Sequence, residues 1–219
     1  MNRKFYDVYQ YLAVLIILPL TVFLWYKELK SIELALTVIG LPVLTAYIIP
    51  FIGTNCTKFW EFNKLRFKIG KFRAYHGFVF GSATSLFGLM FYKISPEYSG
   101  IINSILCGLV CGAFLAFWNT LYDIYAVKCK FIKINNQAAY EGKSEYEAVI
   151  DYAPAYFYTL GFIYTLFLKF IQFSGLKYPF VIFIFYVSAH IIPILVYMCL
   201  HYIKYKTWGI LRYKPKDKN

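Results

Sequence analysis

Ionisable and amide side chains interrupt the long apolar segments of this sequence at few positions. His76, Asn119 and Asp123 stand close to the ends of such segments, and His201 stands near the end of the last one. A charged group inside hydrocarbon costs about 2.5–3.5 kcal/mol on insertion scales, so each of these positions is a candidate for function. We predict that the four side chains form one polar cluster on a single side of the fold.

Such a cluster is suited to three kinds of chemistry. Two histidines and a carboxylate can bind a divalent metal ion, a histidine and an aspartate can move a proton, and basic residues at the border can hold a phosphate. In a catalytic interpretation the acting groups are His76, Asp123 and His201. In a structural interpretation they only bond to neighbouring helices, and Asp123 pairs with Lys128. The sequence identifies neither a metal nor a cofactor.

Further side chains are candidates for contact with a ligand. His190 lies deepest, three residues before Pro193, whose missing N–H frees the Ala189 carbonyl to bond to the imidazole. Tyrosines flank Asp123 in sequence, and basic residues occur at the predicted border of the cluster. The candidate ligand-binding residues are Asn119, Arg66, Arg73, Lys128, His190, Tyr122 and Tyr125. The sequence contains no His-Glu-x-x-His motif, nucleophile elbow or phosphate-binding loop.

The segments that carry these residues have the composition of membrane-spanning helices. Hydrophobic residues make up 60% of the 219 residues, and the mean hydropathy is +0.53, whereas soluble domains contain about 45–50% apolar residues. The apolar blocks match the roughly 20 residues that a helix needs to cross a bilayer. The predicted fold is all-α and polytopic, a single domain over residues 1–203. Its six transmembrane helices are expected at about 9–26, 31–52, 74–92, 100–127, 153–173 and 178–203.

The distribution of basic residues predicts how these helices are oriented. Cytoplasmic segments retain Lys and Arg during insertion, and most of the 23 basic residues fall before the first helix, in the connections 53–73 and 128–152, or in the tail 204–219. The prediction is three antiparallel hairpins in the cytoplasmic membrane, with both termini in the cytoplasm. This rule and contact with anionic lipid account for the net charge of +12, so no nucleic-acid partner is expected.

The two longer connections carry local patterns of their own. Residues 58–73 place aromatic side chains at helical spacing among basic ones, which indicates an amphipathic helix at the membrane interface. The alternation of Leu65, Phe67 and Ile69 with basic residues also fits a short strand. In the second connection, Ser144 and Glu147 match a capping box and predict the start of a short helix.

Small residues at helical spacing indicate where helices approach closely. They occur in the third helix at Gly77, Gly81 and Ser85, and in the fourth at Ser104, Gly108, Gly112 and Ala116. Stripes of this kind let membrane helices pack at short distance. We expect the third and fourth helices to pack against each other, which places His76 and Asp123 at the same depth.

The sequence is consistent with three functions, and none of its motifs selects one. The first is a membrane protein that binds or transports a small hydrophobic or lipid-like ligand, with the polar cluster on the cytoplasmic side. The second is a membrane enzyme that acts on a lipid headgroup at the inner leaflet through His76, Asp123 and His201. The third is a structural subunit of an oligomer or a membrane complex. The expected partners are the lipid bilayer and a lipid or small hydrophobic molecule.

Overall fold

The computed structural model describes residues 3–63, 67–94 and 100–213. Within them the chain is mostly helical, and six helices are long and apolar enough to cross a membrane. The predicted number of spans is therefore confirmed. Numbered first to sixth, the spans are Arg3–Leu29, Ile32–Cys56, His76–Ile94, Ile101–Lys128, Glu145–Ser174 and Pro179–Tyr205.

Several spans consist of more than one helical piece. The helices are α1 (Arg3–Leu12), α2 (Leu18–Leu29), α3 (Ile32–Phe51), α4 (His76–Ile94), α5 (Ile101–Lys128), α6 (Gln137–Tyr140), α7 (Glu145–Ile150), α8 (Ala153–Ser174) and α9 (Pro179–Tyr205). A π-helical turn joins α1 to α2, and another extends α3. The predicted capping box is present, since Ser144 and Glu147 each bond to the other's backbone N–H at the start of α7. Prolines stand in the first turns of α8 and α9, where no N–H donor is needed.

Short strands join the connections at one end of the helix bundle. They are β1 (Trp60–Phe62), β2 (Lys68–Ile69), β3 (Phe72–Arg73) and β4 (Ile132–Ile134). β1 pairs antiparallel with β4, which ties the first long connection to the second, and β2 pairs with β3. The described residues of 58–73 are not helical, so the predicted interfacial helix is wrong there. The strand alternative is right for Ile69 in β2, and Leu65 lies outside the described residues. Burial does not alternate along β2 and β3, because both residues of β2 are exposed and both residues of β3 are buried.

Both ends of the described chain lie at this same end of the bundle. Arg3 donates through Nη1 to the Lys130 carbonyl at 2.8 Å. Beyond the sixth span, the Arg212 amide donates to the Thr57 carbonyl at 2.9 Å. The strands, α6 and the two chain ends therefore form one layer, which we name the polar end.

The glycines of the third and fourth spans meet partners other than those predicted. A Cβ on Gly81 would lie 2.7 Å from the Val43 Cα in the second span, and a Cβ on Gly112 would lie 2.6 Å from the Tyr158 carbonyl oxygen in the fifth. The third and fourth spans do pack against each other as predicted, with the Phe87 and Phe114 ring centroids 5.0 Å apart, but aromatic side chains form this contact and the two small-residue stripes face other spans. A small-residue stripe shows that a helix approaches a neighbour closely without showing which neighbour it is.

Several polar groups inside the bundle bond to carbonyls of neighbouring helices, while the outer surface is apolar. The Trp25 indole N–H donates to the Ser85 carbonyl at 3.0 Å and links the first span to the third. The Tyr164 hydroxyl donates to the Val38 carbonyl at 3.1 Å and links the fifth span to the second. On the outside, large side chains such as Phe117 are mostly exposed, in this case 64%. Such a surface is stable against lipid chains rather than water, so the structure is compatible with an integral membrane protein.

Candidate functional site

A cavity of about 80 Å³, the central cavity, lies between the second, third, fourth and fifth spans and borders on β1 and β4. Most of its wall is apolar, and the polar side chains in it include His76, Tyr122, Asp123 and Tyr152. One water molecule needs about 10–15 Å³, so the space admits several heavy atoms. His76 and Asp123, predicted to lie at one depth, thus line the same cavity.

A tyrosine holds the Asp123 carboxylate. The Tyr152 hydroxyl donates to Asp123 Oδ2 at 2.6 Å, and its ring packs edge-on against Trp60 at 5.7 Å between centroids. Asp123 Oδ1 has no hydrogen-bond partner in the part of the chain that the structure describes. The ion pair expected in the structural interpretation is not formed, because the Lys128 ammonium bonds to the Tyr146 hydroxyl instead. One carboxylate oxygen is therefore left to accept a bond from a ligand.

Two phenylalanine rings hold His76 at the start of the third span. The imidazole centroid lies 5.2 Å from that of Phe62 and 6.5 Å from that of Phe80. No hydrogen bond to the ring occurs within residues 3–63, 67–94 and 100–213. Ring packing fixes the position of the imidazole and leaves its nitrogens available to donate or accept.

His201 belongs to a second set of polar side chains. Its Nδ1 lies 3.1 Å from Asp151 Oδ2, and its Nε2 lies 3.2 Å from Thr207 Oγ1. The same Asp151 oxygen accepts a bond from the Asn136 amide at 3.1 Å and a longer one from the Tyr197 hydroxyl at 3.5 Å. The Asp151 and His201 side chains are each 1% exposed. We name these five residues the Asp151 group. The structure thus brings two of the three predicted catalytic residues to one cavity and places the third elsewhere.

Two predicted ligand-binding residues bond within their own helices. The Asn119 amide donates to the Leu115 carbonyl at 2.8 Å. His190 Nδ1 lies 2.5 Å from the Tyr186 carbonyl one turn earlier, and not at the Ala189 carbonyl that the proline frees. Neither residue lines the central cavity. The Asn119 amide and His190 Nδ1 are thus satisfied within their own helices, whereas His190 Nε2 is buried and has no partner among the described residues.

The other predicted ligand-binding residues are spread over the polar end. Tyr125 is 38% exposed, with the Lys128 ammonium 5.8 Å from its ring centroid. Arg73 is buried and donates to the Gln10 side chain at 2.8 Å. Arg66 lies outside the described residues. Among the predicted ligand-binding residues that the structure describes, only Tyr122 lines the central cavity.

The sequence prediction does not include two neighbouring residues that connect these sites. Asp151 bonds to His201, and Tyr152 bonds to Asp123, so consecutive side chains serve the Asp151 group and the central cavity. A further cavity of about 150 Å³ shares Tyr152 with the central cavity and is also lined by Tyr197. In the sequence, the available indication was a carboxylate, Asp151, two residues before the apolar segment predicted to begin at residue 153, because polar groups gather at helix ends.

The predicted metal site requires that both histidines and the carboxylate lie close to one another. The predicted ligand set of two histidines and one carboxylate is divided between two places, because His201 is bonded to Asp151. Within the described ranges, no three His, Cys, Asp or Glu side chains form a group that could hold a metal ion.

Six apolar helices, four of which line the central cavity, with the two long connections gathered at one end, have the architecture of a polytopic helical membrane protein. No protein-family model, curated protein or solved structure matches this chain. The chemistry of the cavity and of the polar end is therefore the basis for inferring a function.

Proposed function

We propose that this chain is an integral membrane protein that binds a small hydrophobic or lipid-like molecule in the central cavity. The observation that carries the proposal is a mostly apolar wall that includes both His76 and Asp123. Small-molecule sites are typically apolar clefts in which a few polar groups fix the orientation of the ligand. In this arrangement the apolar part of the ligand packs against Ala46, Ile49 and Phe157.

The polar groups of the cavity limit the chemistry of the ligand. Asp123 Oδ1 accepts a hydrogen bond, and the His76 imidazole donates or accepts according to its tautomer. A hydroxyl or an amine can bond to both, whereas a carboxylate on the ligand is repelled by Asp123. The proposed ligand therefore has an apolar body and a hydroxyl or amine end group.

The alternative functions have less support from the geometry. An enzyme that used His76, Asp123 and His201 on one lipid headgroup requires the three around a single substrate, and His201 is bonded to Asp151 instead. A structural subunit requires no ligand in the cavity, so a test of binding also tests that alternative. In addition to binding, transport requires that the cavity open to each side of the membrane. We propose transport as an extension of the binding function.

Replacing Ala46 by phenylalanine is expected to reduce the amount of bound ligand at least tenfold. Ala46 lines the cavity and is 4% exposed, so an added ring occupies the space that the ligand needs. Overpacking costs about 1–3 kcal/mol, and a thermal melt therefore accompanies each sample. The measurement is mass spectrometry of the small molecules and lipids extracted from protein purified in mild detergent.

The matched control is Leu44→Phe, which adds a ring to the outer surface of the same helix. Leu44 is 44% exposed, so this variant is expected to retain the ligand at the level of the unchanged protein. If all three proteins carry the same molecules in the same amounts, the cavity is not the binding site. If no molecule is enriched on any of them, the structural-subunit alternative is preferred.

The proposed topology is three antiparallel hairpins in the cytoplasmic membrane, with the polar end facing the cytoplasm. Most of the 23 basic residues belong to segments of the polar end, and this bias sets orientation during insertion. Contacts of Arg3 and Arg212 with the two long connections support placing both chain ends on that side.

Reporter fusions test this topology in a bacterial host. Green fluorescent protein fused after residue 219 is expected to fluoresce, because it folds in the cytoplasm and not after export in an unfolded form. Alkaline phosphatase fused after Lys30, in the short connection between the first and second spans, is expected to be active, because it needs the oxidising side of the membrane. The opposite pattern at both positions would show that the protein has the reverse orientation in the membrane.

A further inference from the structure

Two arginine side chains converge on one carbonyl oxygen at the polar end. Arg73 in β3 donates through Nη2 to the Asn63 carbonyl at 3.1 Å, and Arg3 donates through Nη2 to the same oxygen at 3.3 Å. Both guanidiniums also lie over the Phe131 ring, at 4.0 Å and 5.2 Å from its centroid. Two positive charges are therefore held within roughly two hydrogen-bond lengths of each other.

Little negative charge balances this pair within the part of the chain that the structure describes. Asp7 Oδ2 lies 3.7 Å from Arg3 Nε, and the Asp7 side chain is 54% exposed. Arg73 is 4% exposed and bonds to neutral acceptors, among them Gln10 Oε1 at 2.8 Å and the Tyr75 hydroxyl at 3.2 Å. Its Nε is buried and has no partner among the described residues. A buried guanidinium with no counter-charge is costly, so an anion at this point is stabilising.

We propose that Arg3 and Arg73 together form a binding site for a phosphate group. Each guanidinium presents a planar fork of N–H donors that matches two oxygens of a phosphate, and two forks from different elements suit a tetrahedral anion. Both Nη2 groups now donate to the Asn63 carbonyl, which is a neutral acceptor. A phosphate that replaces this carbonyl as the acceptor brings a full negative charge to the pair. The Arg3 side chain is 28% exposed, which gives the anion a path from the surface.

The position of the pair favours the phosphate of a membrane lipid. Arg3 begins the first span, and the end of a span lies at the depth of the lipid headgroups. Phe131 separates the arginines from the central cavity, because its ring lies under both guanidiniums and it also lines the cavity. The phosphate site is distinct from the ligand site in the cavity and does not depend on it. Free inorganic phosphate has the same chemistry and is a separate arm of the test.

The test is calorimetric titration of the purified full-length protein in detergent at constant ionic strength. The probes are dihexanoyl phosphatidic acid, dihexanoylglycerol as the same lipid without phosphate, and inorganic phosphate. We expect phosphatidic acid to bind at least about tenfold more tightly than dihexanoylglycerol, and Arg3→Gln to remove this difference. Arg3→Lys keeps the charge without the fork and is expected to lose most of the affinity.

The matched control is Lys4→Gln, which removes the same charge from an exposed neighbour and is expected to change the Kd by less than about twofold. Inorganic phosphate that binds as tightly as phosphatidic acid, and is lost in Arg3→Gln, supports the site with a free phosphate as its ligand. Equal losses in Arg3→Gln and Lys4→Gln indicate attraction by net charge alone and overturn the proposal. The absence of binding by both phosphate-bearing probes also overturns it.

Discussion

Replacing Asp151 by alanine is expected to lower the melting temperature of the purified protein by about 10 °C. The carboxylate is 1% exposed and accepts bonds from His201, Asn136 and Tyr197. Removing one member of a buried charged network costs about 3–5 kcal/mol, and 1 kcal/mol corresponds to about 2–4 °C at this chain length. Circular dichroism during a thermal ramp in detergent measures the shift.

The same substitution is expected to release the C-terminal segment that follows the sixth span. Tyr197 donates to the Gly209 carbonyl at 3.0 Å, and a Cβ on Gly209 would lie 2.4 Å from the His201 ring, so the segment rests directly on the Asp151 group. Trypsin should therefore cut after Lys206 faster in Asp151→Ala than in the unchanged protein. The control is Glu145→Ala, which removes an exposed carboxylate. If the two variants melt and are cut alike, Asp151 does not hold the segment.

The number of spans could be predicted because the requirement is local and chemical. A helix that crosses hydrocarbon needs a continuous apolar segment, and each such segment is visible without knowledge of its neighbours. The capping box at Ser144 is local in the same sense, since both of its bonds lie within one helical turn. The neighbourhood of His76 and Asp123 was expected because the start of the third span meets the end of an antiparallel fourth span, and both residues line the central cavity.

The partners of the polar side chains could not be predicted in this way. Residue spacing gives the helix face on which a side chain lies, but the rotation and order of the helices decide what that face meets. Asp123 bonds to Tyr152, and His201 bonds to Asp151, across spans whose adjacency no local pattern shows. The convergence of Arg3 with Arg73 is hidden for the same reason, because about 70 residues separate them in sequence.

The strands at the polar end show a related limit. The side chains of residues 58–73 fit both helical and strand periodicity, so pattern alone favoured the wrong alternative. β1 is stabilised by pairing with β4, which places Trp60 opposite Ile134. A short segment with two acceptable periodicities takes the form in which its backbone groups find partners, and here those partners lie in another connection.

Gly112→Leu is expected to reduce the yield of folded, monodisperse protein to less than about a tenth. The fourth and fifth spans meet at their backbones, since a Cβ on Gly112 would lie 2.6 Å from the Tyr158 carbonyl oxygen, and a Cβ on Gly161 would lie 2.9 Å from the Gly112 Cα. A backbone cannot move aside as a flexible side chain can, so even Gly112→Ala should destabilise, although alanine is favoured over glycine by about 1 kcal/mol in a free helix. Size-exclusion chromatography of the solubilised membrane fraction measures the yield.

Gly100 provides the matched control for this prediction. It stands immediately before α5, and its φ of −89° suits any residue. Among the described residues, a Cβ there would meet nothing within 4 Å. Gly100→Leu is therefore expected to accumulate at the level of the unchanged protein. A normal yield of Gly112→Leu would contradict the close contact of the fourth and fifth spans. Loss in Gly112→Leu alone assigns the effect to helix packing, because the two variants add the same side chain, one inside the fourth span and the other directly before it.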